Sequence, residues 1–287
     1  MSEPPHDQPT SDRPLVEVRA LHVSFGRQHV LRNINLSIPA GQTLAVIGES
    51  GCGKTVLLKS IIGLIQPTSG EVHFDGVNLA ELGEKQLTQQ RIRFGFLFQG
   101  AALFDSMSVA ENVAFPLRQH KQDLGESQMH EIVLARLTEV GLPANVVRKK
   151  PAELSGGMRK RVGLARALAM DPEIMLYDEP TTGLDPIMSD VINELIMRTR
   201  RRLPVTSIVV THDMRTAQKV ADRVVMLYPL SGLRGGEPQI LFDGSPGRLE
   251  RAADPRIAQF VRGEAGERLV EMGEQAQPAG NQERGSS

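Results

Sequence analysis

The stretch QTLAVIGESGCGKTVLLKSIIGL, residues 42–64, decides the fold that this sequence can adopt. It opens with QTLAVI, a short apolar run typical of a buried parallel strand, and it closes on the helical KTVLLKSIIGL. Where the two meet lies GESGCGKT, residues 48–55, whose glycines let the backbone curl until its N–H groups point at a phosphate. A strand, a glycine-rich loop and a helix in this order predict a nucleotide-binding P-loop in an α/β fold.

Single residues of this loop have the chemistry that a bound triphosphate needs. Lys54 supplies a point charge for the β- and γ-phosphates, and the hydroxyl of Thr55 can ligate Mg²⁺. A glycine-rich turn with an ordinary surface lysine is the alternative, but the flanking strand and helix favour the nucleotide loop. Cys52 lies inside the loop, so bound nucleotide is expected to shield its thiol from a maleimide if the thiol is accessible; the alternative is a small, inert loop residue. The predicted phosphate-contacting residues are Gly48, Glu49, Ser50, Gly51, Cys52, Gly53, Lys54 and Thr55.

The pattern on either side of the loop predicts two kinds of sheet. VEVRALHVSF at 16–25 and HVLRNINLSI at 29–38 alternate with a period of two, which favours an N-terminal antiparallel β subdomain. Helical stretches such as PIMSDVINELIMRTRR separate the later apolar runs, and this alternation predicts a core of parallel strands. The later strand candidates are EIMLYDE at 173–179, TSIVVTHD at 206–213 and RVVMLY at 223–228.

The middle of the chain lacks these strand signals. Between Gln99 and Leu154 the residues show helical periodicity instead. Ser108 and Glu111 are spaced as a capping box, which marks the start of a helix. We therefore expect an inserted helical subdomain at about residues 100–165.

Composition limits the cellular role. The 287 residues carry a formal net charge of −1, which argues against binding nucleic acid through bulk charge. A single cysteine suits a reducing compartment, the longest apolar runs are too short to cross a bilayer, and the N-terminus has no apolar signal segment. Residues 1–14 and 263–287 are polar, so we expect disordered ends around a folded cytoplasmic domain at 15–262.

Two carboxylates follow the apolar strand in IMLYDE. Asp178 can hold Mg²⁺ through its water shell, and Glu179 can act on the attacking water as a general base. Adjacent strand residues point to opposite sides, so the pair can serve one nucleotide only where the strand ends and the backbone turns. Such a pair alone is usually a solvated strand end, but beside a P-loop it predicts ATP hydrolysis.

LSGGM, residues 154–158, raises the question of a second phosphate site. A serine and two glycines at the head of an amphipathic helix offer unpaired N–H groups and the positive end of the helix dipole. One chain needs only one such site for its own nucleotide.

These motifs together resemble the ATPase subunit of ABC transporters. The set comprises GESGCGKT, FLFQG, LSGGM, IMLYDEP, GLD and VVTHD, in this order over essentially the whole folded region. The resemblance implies a P-loop NTPase cassette with a RecA-like parallel sheet that binds ATP and Mg²⁺. It implies that Gln99 senses Mg²⁺ and the γ-phosphate and that His212 contacts the γ-phosphate. It further implies that Asp185 organises a dimer interface and that Phe25 stacks on adenine, where the family often has tyrosine.

The resemblance also answers the question of the second phosphate site. The motif is implied to face ATP held on the P-loop of a second copy of the chain, in a head-to-tail dimer with two composite sites. ATP binding would join the two copies, and hydrolysis would release them. Met158 departs from the glutamine most common in the family, which leaves phosphate contact to Ser155 and the backbone. The residues of this motif implied to bind nucleotide are Ser155, Gly156, Gly157 and Met158.

A narrower resemblance points to the cargo. ALFDSMSVAENVAFPL at 102–117 and YDEPTTGLDPIMSDVINELI at 177–196 look like the ATPase of the MCE-type phospholipid transporters, the Mla system. It implies peripheral attachment to the cytoplasmic face of the inner membrane through a multi-spanning permease, with a lipid-binding MCE protein and a small STAS-domain protein as further partners. DPRIAQFVRG at 254–263 resembles the C-terminal extension of that group, which begins here at about 245. Its apolar residues that could dock on this chain or on its second copy are Ile257, Phe260 and Val261.

Two basic runs have a plainer interpretation than ligand binding, and the catalytic motifs leave alternative functions open. The basic run at 198–202 is interpreted as the solvated end of a helix, and the run of Arg159, Lys160 and Arg161 as a partly solvated helix face that supports a nearby phosphate. Transport of another solute and a cell-division ATPase would use the same catalytic motifs. Relatives that work on nucleic acid usually join two cassettes or carry a long coiled coil; this chain does neither, so no nucleic-acid partner is expected.

Overall fold

A computed structural model describes residues 13–264, so the ends predicted at 1–14 and 263–287 lie outside the described residues except for two positions each. Its strands are β1 Val16–Phe25, β2 Gln28–Ile38, β3 Thr43–Gly48, β4 Ser69–Phe74, β5 Val77–Asn78, β6 Phe94–Leu97, β7 Ile174–Asp178, β8 Thr206–Val210, β9 Arg223–Leu227 and β10 Ile240–Gly244. Its helices are α1 Lys54–Ile61, α2 Glu84–Ile92, α3 Val109–His120, α4 Glu126–Glu139, α5 Gly156–Leu168, α6 Pro186–Arg202, α7 Met214–Val220, α8 Pro246–Leu249 and α9 Pro255–Arg262.

The larger sheet has six strands in the order β10-β9-β3-β8-β7-β6. All neighbouring pairs from β9 to β6 are parallel, and only β10 runs antiparallel to β9. β3 and β7 are buried along their whole length because layers cover both faces of the sheet. The predicted α/β core with parallel strands is confirmed, and the P-loop follows a strand in the interior of the sheet.

The smaller sheet is antiparallel, in the order β2-β1-β4-β5. The predicted antiparallel subdomain is confirmed for β1 and β2, but the sheet also takes β4 and β5 from beyond the P-loop helix. Val16 lies opposite Ile38 on one side and opposite Phe74 on the other. Helix α1 contacts strands of both sheets and buries Leu57 and Leu58 between them. The helix that follows the phosphate loop is therefore fixed from two sides.

Helices α3, α4 and α5 pack on one another and form the inserted helical subdomain. The capping box at the start of α3 is formed: the Ser108 N–H donates to Glu111 Oε2 at 2.7 Å, and the Glu111 N–H donates to Ser108 Oγ at 3.3 Å. Apolar residues of the three helices share one buried cluster, which includes Val113, Val133 and Leu164. This cluster also contains Tyr177 of β7, so the subdomain is packed onto the parallel sheet.

Helix α9 packs on its own chain. Ile257 is buried against Tyr228 and Leu249, and Phe260 and Val261 pack partly buried on the same cluster. The guanidinium of Arg256 lies 5.1 Å from the centre of the Tyr228 ring. The sequence left open whether the apolar residues of α9 dock on this chain or on its second copy. In the structure they dock on this chain.

Candidate nucleotide-binding and catalytic site

The P-loop curls as its glycines require. Gly48 has φ 143° and Gly53 has φ 101°, both in the region that favours glycine. A Cβ at Gly48 would lie 2.2 Å from the Leu227 carbonyl oxygen, so no side chain fits there. The Lys54 ammonium donates to the carbonyl oxygens of Gly48 at 2.8 Å and Glu49 at 3.0 Å. These bonds hold the lysine across the mouth of the loop, where it would meet a phosphate.

The two predicted metal-binding residues of the core are in direct contact. The Thr55 hydroxyl donates to Asp178 Oδ1 at 2.9 Å, which joins the start of α1 to the end of β7. Burial raises the pKa of Asp178 above its ordinary value, although the Thr55 hydroxyl acts against that rise. A buried carboxylate beside a hydroxyl, with the P-loop opposite, fits Mg²⁺, which prefers oxygen ligands and keeps several waters.

The structure places Glu179 where the strand ends and the backbone turns. β7 ends at Asp178, and Glu179 takes a left-handed φ of 49°. Its carboxylate accepts a hydrogen bond from the Thr182 hydroxyl at 3.0 Å and lies 2.8 Å from Nδ1 of His212. The reversal brings both carboxylates to one end of the sheet despite their adjacent positions in the sequence.

The predicted catalytic residues Gln99, Glu179 and His212 line a cavity of about 410 Å³. Phe25 is not among its lining residues, but it is paired with Gln28 across the hairpin, and its ring is 50% exposed. Gln28 and Val30 were missed by the sequence analysis, since nothing in the β2 pattern distinguishes them. The lining residues are Gln28, Val30, Ser50, Gly51, Gly53, Lys54, Thr55, Val56, Gln99, Glu179 and His212.

The LSGGM motif lies elsewhere, at the start of α5. Ser155 caps this helix by accepting a hydrogen bond from the Met158 N–H at 3.3 Å. Asp185 caps α6 in the same way through the Met188 N–H at 2.9 Å, and a Cβ at Gly157 would lie 2.6 Å from Cε of Met188. The starts of α5 and α6 therefore lie side by side. None of the lining residues of the P-loop cavity comes from this pair of helix starts.

Cys52 does not face the cavity. Its side chain is 1% exposed and belongs to the core cluster between the two sheets. Burial raises the pKa of the thiol, which keeps it in the unreactive protonated form. The thiol is not accessible, so the alternative interpretation of Cys52 as a small, inert loop residue fits the structure.

We therefore expect a maleimide to label Cys52 slowly even without nucleotide, at a rate at least about tenfold below that of an exposed thiol. Only opening of the surrounding core exposes the sulfur, so low concentrations of denaturant should accelerate labelling strongly. The measurement is mass spectrometry of the folded chain over a time course. Rapid labelling that nucleotide abolishes would contradict the buried position.

The basic run of α5 is solvated only in part. Lys160 is only 5% exposed, and its ammonium donates to the main-chain oxygen of Glu179 at 2.9 Å. Burial lowers the pKa of Lys160 to about 8. Arg159 donates to the Leu154 carbonyl and Arg161 to the Gly141 carbonyl, so all three cations are held by main-chain oxygens. The interpretation as a partly solvated face therefore holds for Arg159, which is exposed, and for Arg161, which is half-buried, but not for Lys160, whose burial depends on the neighbouring β7 turn.

The basic run at 198–202 is mainly solvated, as the sequence indicates. Arg198, Arg201 and Arg202 are exposed at the end of α6. Arg200 is partly buried and pairs with Asp222 at 2.8 Å.

Gln239 is a residue of the site region that the sequence analysis missed. Gln239 is 1% exposed, and the hydrogen bonds of its side chain all join it to backbone groups. The amide donates to the carbonyl oxygens of Val30 and Cys52, both at 3.0 Å, and accepts from the Arg32 N–H at 2.8 Å. A residue near β10 thus supports both the P-loop and the β2 wall of the cavity.

A P-loop beside an acidic strand end, with a glutamate and a histidine in contact, is the arrangement of an ATPase of the P-loop class. The profile of the ABC transporter family matches residues 31–182. The chain belongs to this family.

Curated relatives align with most of the chain. The probable ribonucleotide transport ATP-binding protein mkl of Mycobacterium leprae is 41% identical over 86% of this chain and 69% of its own length. The intermembrane phospholipid transport system ATP-binding protein MlaF of Haemophilus influenzae is 40% identical over 88% of this chain and 91% of its own length. The chain spans 66% of the mkl protein of Mycobacterium tuberculosis strain H37Rv.

Solved structures share the fold. A dimeric ATP-binding cassette in a post-hydrolysis state with ADP and Pi superposes with a TM-score of 0.71 at 31% identity, covering 80% of this chain and 98% of that one. CbiO1 of Clostridium perfringens, part of the ABC transporter complex cbiONQ, superposes with a TM-score of 0.73 at 27% identity, covering 91% and 99%. The fold of the chain is that of an ABC ATPase cassette.

Proposed function

We propose that this chain is the subunit that hydrolyses ATP to energise a membrane ABC transporter, and that the transporter moves phospholipids between inner and outer membranes. The observation that carries the proposal is the alignment with MlaF of Haemophilus influenzae, which spans 88% of this chain and 91% of that relative. The mkl relatives are equally similar but considerably longer than the matched region. The phospholipid assignment is therefore favoured over ribonucleotide transport.

The proposed chemistry uses the residues around the P-loop cavity. Backbone N–H groups of the loop and Lys54 bind the β- and γ-phosphates. Thr55, Asp178 and Gln99 would hold Mg²⁺, which would neutralise charge on the phosphates when bound. Glu179 accepts a proton from the attacking water. His212, which contacts the Glu179 carboxylate, also contacts the γ-phosphate and orients it. Phe25 supplies an exposed ring face for the adenine.

The LSGGM motif completes the site of a second copy. Ser155 and the first residues of α5 do not line the P-loop cavity of their own chain, and Asp185 caps the neighbouring start of α6. A head-to-tail dimer places these groups against the γ-phosphate bound by the other copy. ATP then holds two chains together until hydrolysis removes the shared contact.

An aromatic groove offers a docking surface for the proposed permease. The groove has a volume of about 430 Å³ and is lined by aromatic side chains that include Phe98 and Phe104. Arg166 of α5 donates to the carbonyl oxygens of Ala101 and Ala102, both of which have a left-handed φ. Gln99, which lines the nucleotide cavity, directly follows Phe98 and lies three positions before Ala102, and both of these residues line the groove. One short segment therefore contacts both the groove and the nucleotide site.

Among residues 13–264, no helix is both long enough and apolar enough to cross a membrane. We therefore propose that attachment to the cytoplasmic face of the inner membrane is peripheral and depends on an apolar cytoplasmic segment of the permease in this groove. The lipid-binding MCE protein and the STAS-domain protein are further proposed partners of the same assembly.

Replacing Phe104 with aspartate should reduce recovery of the membrane partner with the tagged chain by about tenfold or more, because Phe104 is 41% exposed and contributes to the groove. ATP binding should remain, since Phe104 does not line the nucleotide cavity. Leu64→Asp is the matched control, as Leu64 is 50% exposed outside the groove. Equal loss of the partner in both variants would contradict the groove assignment.

The function itself is tested by transport. The full-length tagged chain is extracted in detergent with its co-purifying membrane proteins and reconstituted in vesicles with a fluorescent phospholipid. We expect ATP-dependent movement of the phospholipid, and none of a radiolabelled ribonucleotide. Movement of the ribonucleotide alone would overturn the phospholipid proposal, and recovery with ribosomes or with a membrane protein that moves neither probe would overturn the transport proposal.

A further inference from the structure

Lys160 is a buried cation that none of the steps above uses. It lies on α5, five positions after the Ser155 cap, which is about 7.5 Å along the helix axis. It is 5% exposed, and its ammonium donates to the main-chain oxygen of Glu179 at 2.9 Å. Burying an ammonium is unfavourable unless its hydrogen bonds compensate, so this contact is a specific feature of the site.

The Glu179 backbone is held on both sides of its unusual conformation. Its N–H donates to the Val210 carbonyl oxygen at 2.9 Å, and its own carbonyl accepts from Lys160. With a φ of 49°, a residue other than glycine is strained, and the surrounding contacts must maintain that conformation. The turn determines the direction of the carboxylate that reaches Thr182 and His212.

We propose that Lys160 is a positioning residue for ATP hydrolysis: by holding the Glu179 carbonyl, it fixes the turn that aims the Glu179 carboxylate. The inference rests on the proposed role of Glu179 as the general base. Lys160 lies on the helix whose first turn is proposed to meet the nucleotide of the second copy. The same helix therefore carries both the donor that holds the Glu179 carbonyl and the turn proposed to meet the nucleotide of the second copy.

Lys160→Met tests the proposal because it keeps the length and apolar stem but removes the donor. We expect kcat for ATP to fall about 10- to 100-fold with KM changed less than about threefold, since a small misplacement of a catalytic group affects the chemical step. Lys160→Arg, which can still donate, should recover most of the lost rate. Lys121→Met is the matched control, since Lys121 is exposed at the end of α3 and receives the same chemical change, and it should stay within about threefold of wild type.

A double variant separates positioning from a general structural effect. In the Glu179→Gln background, adding Lys160→Met should cost no further rate in single-turnover hydrolysis, because Lys160 acts through Glu179. Multiplying losses would overturn the proposal, and so would a wild-type rate in Lys160→Met. If the methionine variant does not fold, Lys160→Gln, whose amide is too short to reach, takes its place. A wild-type rate in Glu179→Gln itself would instead remove the base, which is a distinct failure of the proposed function.

Discussion

Replacing Glu179 with glutamine is expected to lower ATP hydrolysis by roughly 10²-fold or more while ATP binding is retained. The amide keeps the shape of the side chain and can still accept from the Thr182 hydroxyl, but it cannot take a proton from water. Because hydrolysis no longer separates the two copies, an ATP-bound dimer should accumulate. Single-turnover hydrolysis and size-exclusion chromatography with Mg-ATP measure the two effects.

The matched control for this prediction is Glu173→Gln. Glu173 precedes the other end of β7, is solvated, and pairs with Arg93 at 2.6 Å, far from the P-loop. The control receives the same chemical change immediately before the same strand and should hydrolyse ATP at nearly the wild-type rate. Near-normal turnover of Glu179→Gln, measured with the membrane partners present, would remove Glu179 from the role of general base.

The second large effect is expected in dimers that combine two different defective chains. Lys54→Ala removes the cation that is held at the mouth of the P-loop. Ser155→Arg places a bulky side chain at the start of α5, where the motif is proposed to meet ATP. Each variant alone forms homodimers in which both composite sites are defective, so each should lose most single-turnover hydrolysis.

The mixed dimer differs only in how the defects are distributed. If the motif acts on the nucleotide of the other copy, the intact P-loop of the Ser155→Arg chain meets the intact motif of the Lys54→Ala chain. One complete site results, and about half of the wild-type single-turnover amplitude should return. If Ser155 served its own chain, both sites would stay damaged. Absence of any recovery in mixed dimers of confirmed composition would disprove the shared site.

Local sequence signals predicted those parts of the molecule that are built from neighbouring residues. The strand, loop and helix around Gly48 are determined by hydrophobic periodicity and by glycine conformation, both of which are readable over a few positions. The same is true of the caps at Ser108 and Ser155, whose partners lie three residues away. The end of β7 was located because an apolar run stops at two carboxylates, and a strand can present both to one ligand only by turning.

Features that depend on distant residues could not be predicted. β4 pairs with β1 in the antiparallel sheet and contacts α1. The short stretch at 69–74 gives no local sign of this pairing. Lys160 stands in a continuous basic run with Arg159 and Arg161, so the local sequence does not distinguish it from them. It is buried because it contacts the turn at Glu179, which is 19 residues away in the sequence. Cys52 is near glycines that bind phosphate, but its direction is set by the core between the sheets.

The support that Gln239 gives to the phosphate loop also sets an order of events during translation. Residues 48–55 leave the ribosome early, while the amide that pairs with the Cys52 carbonyl is added 187 residues later. Contacts of such long sequence separation form late, because the intervening chain must be made and folded first. A nascent chain therefore gains its finished loop only near the end of synthesis. Fragments that end before Gln239 therefore carry the whole phosphate-loop sequence without the amide that supports it.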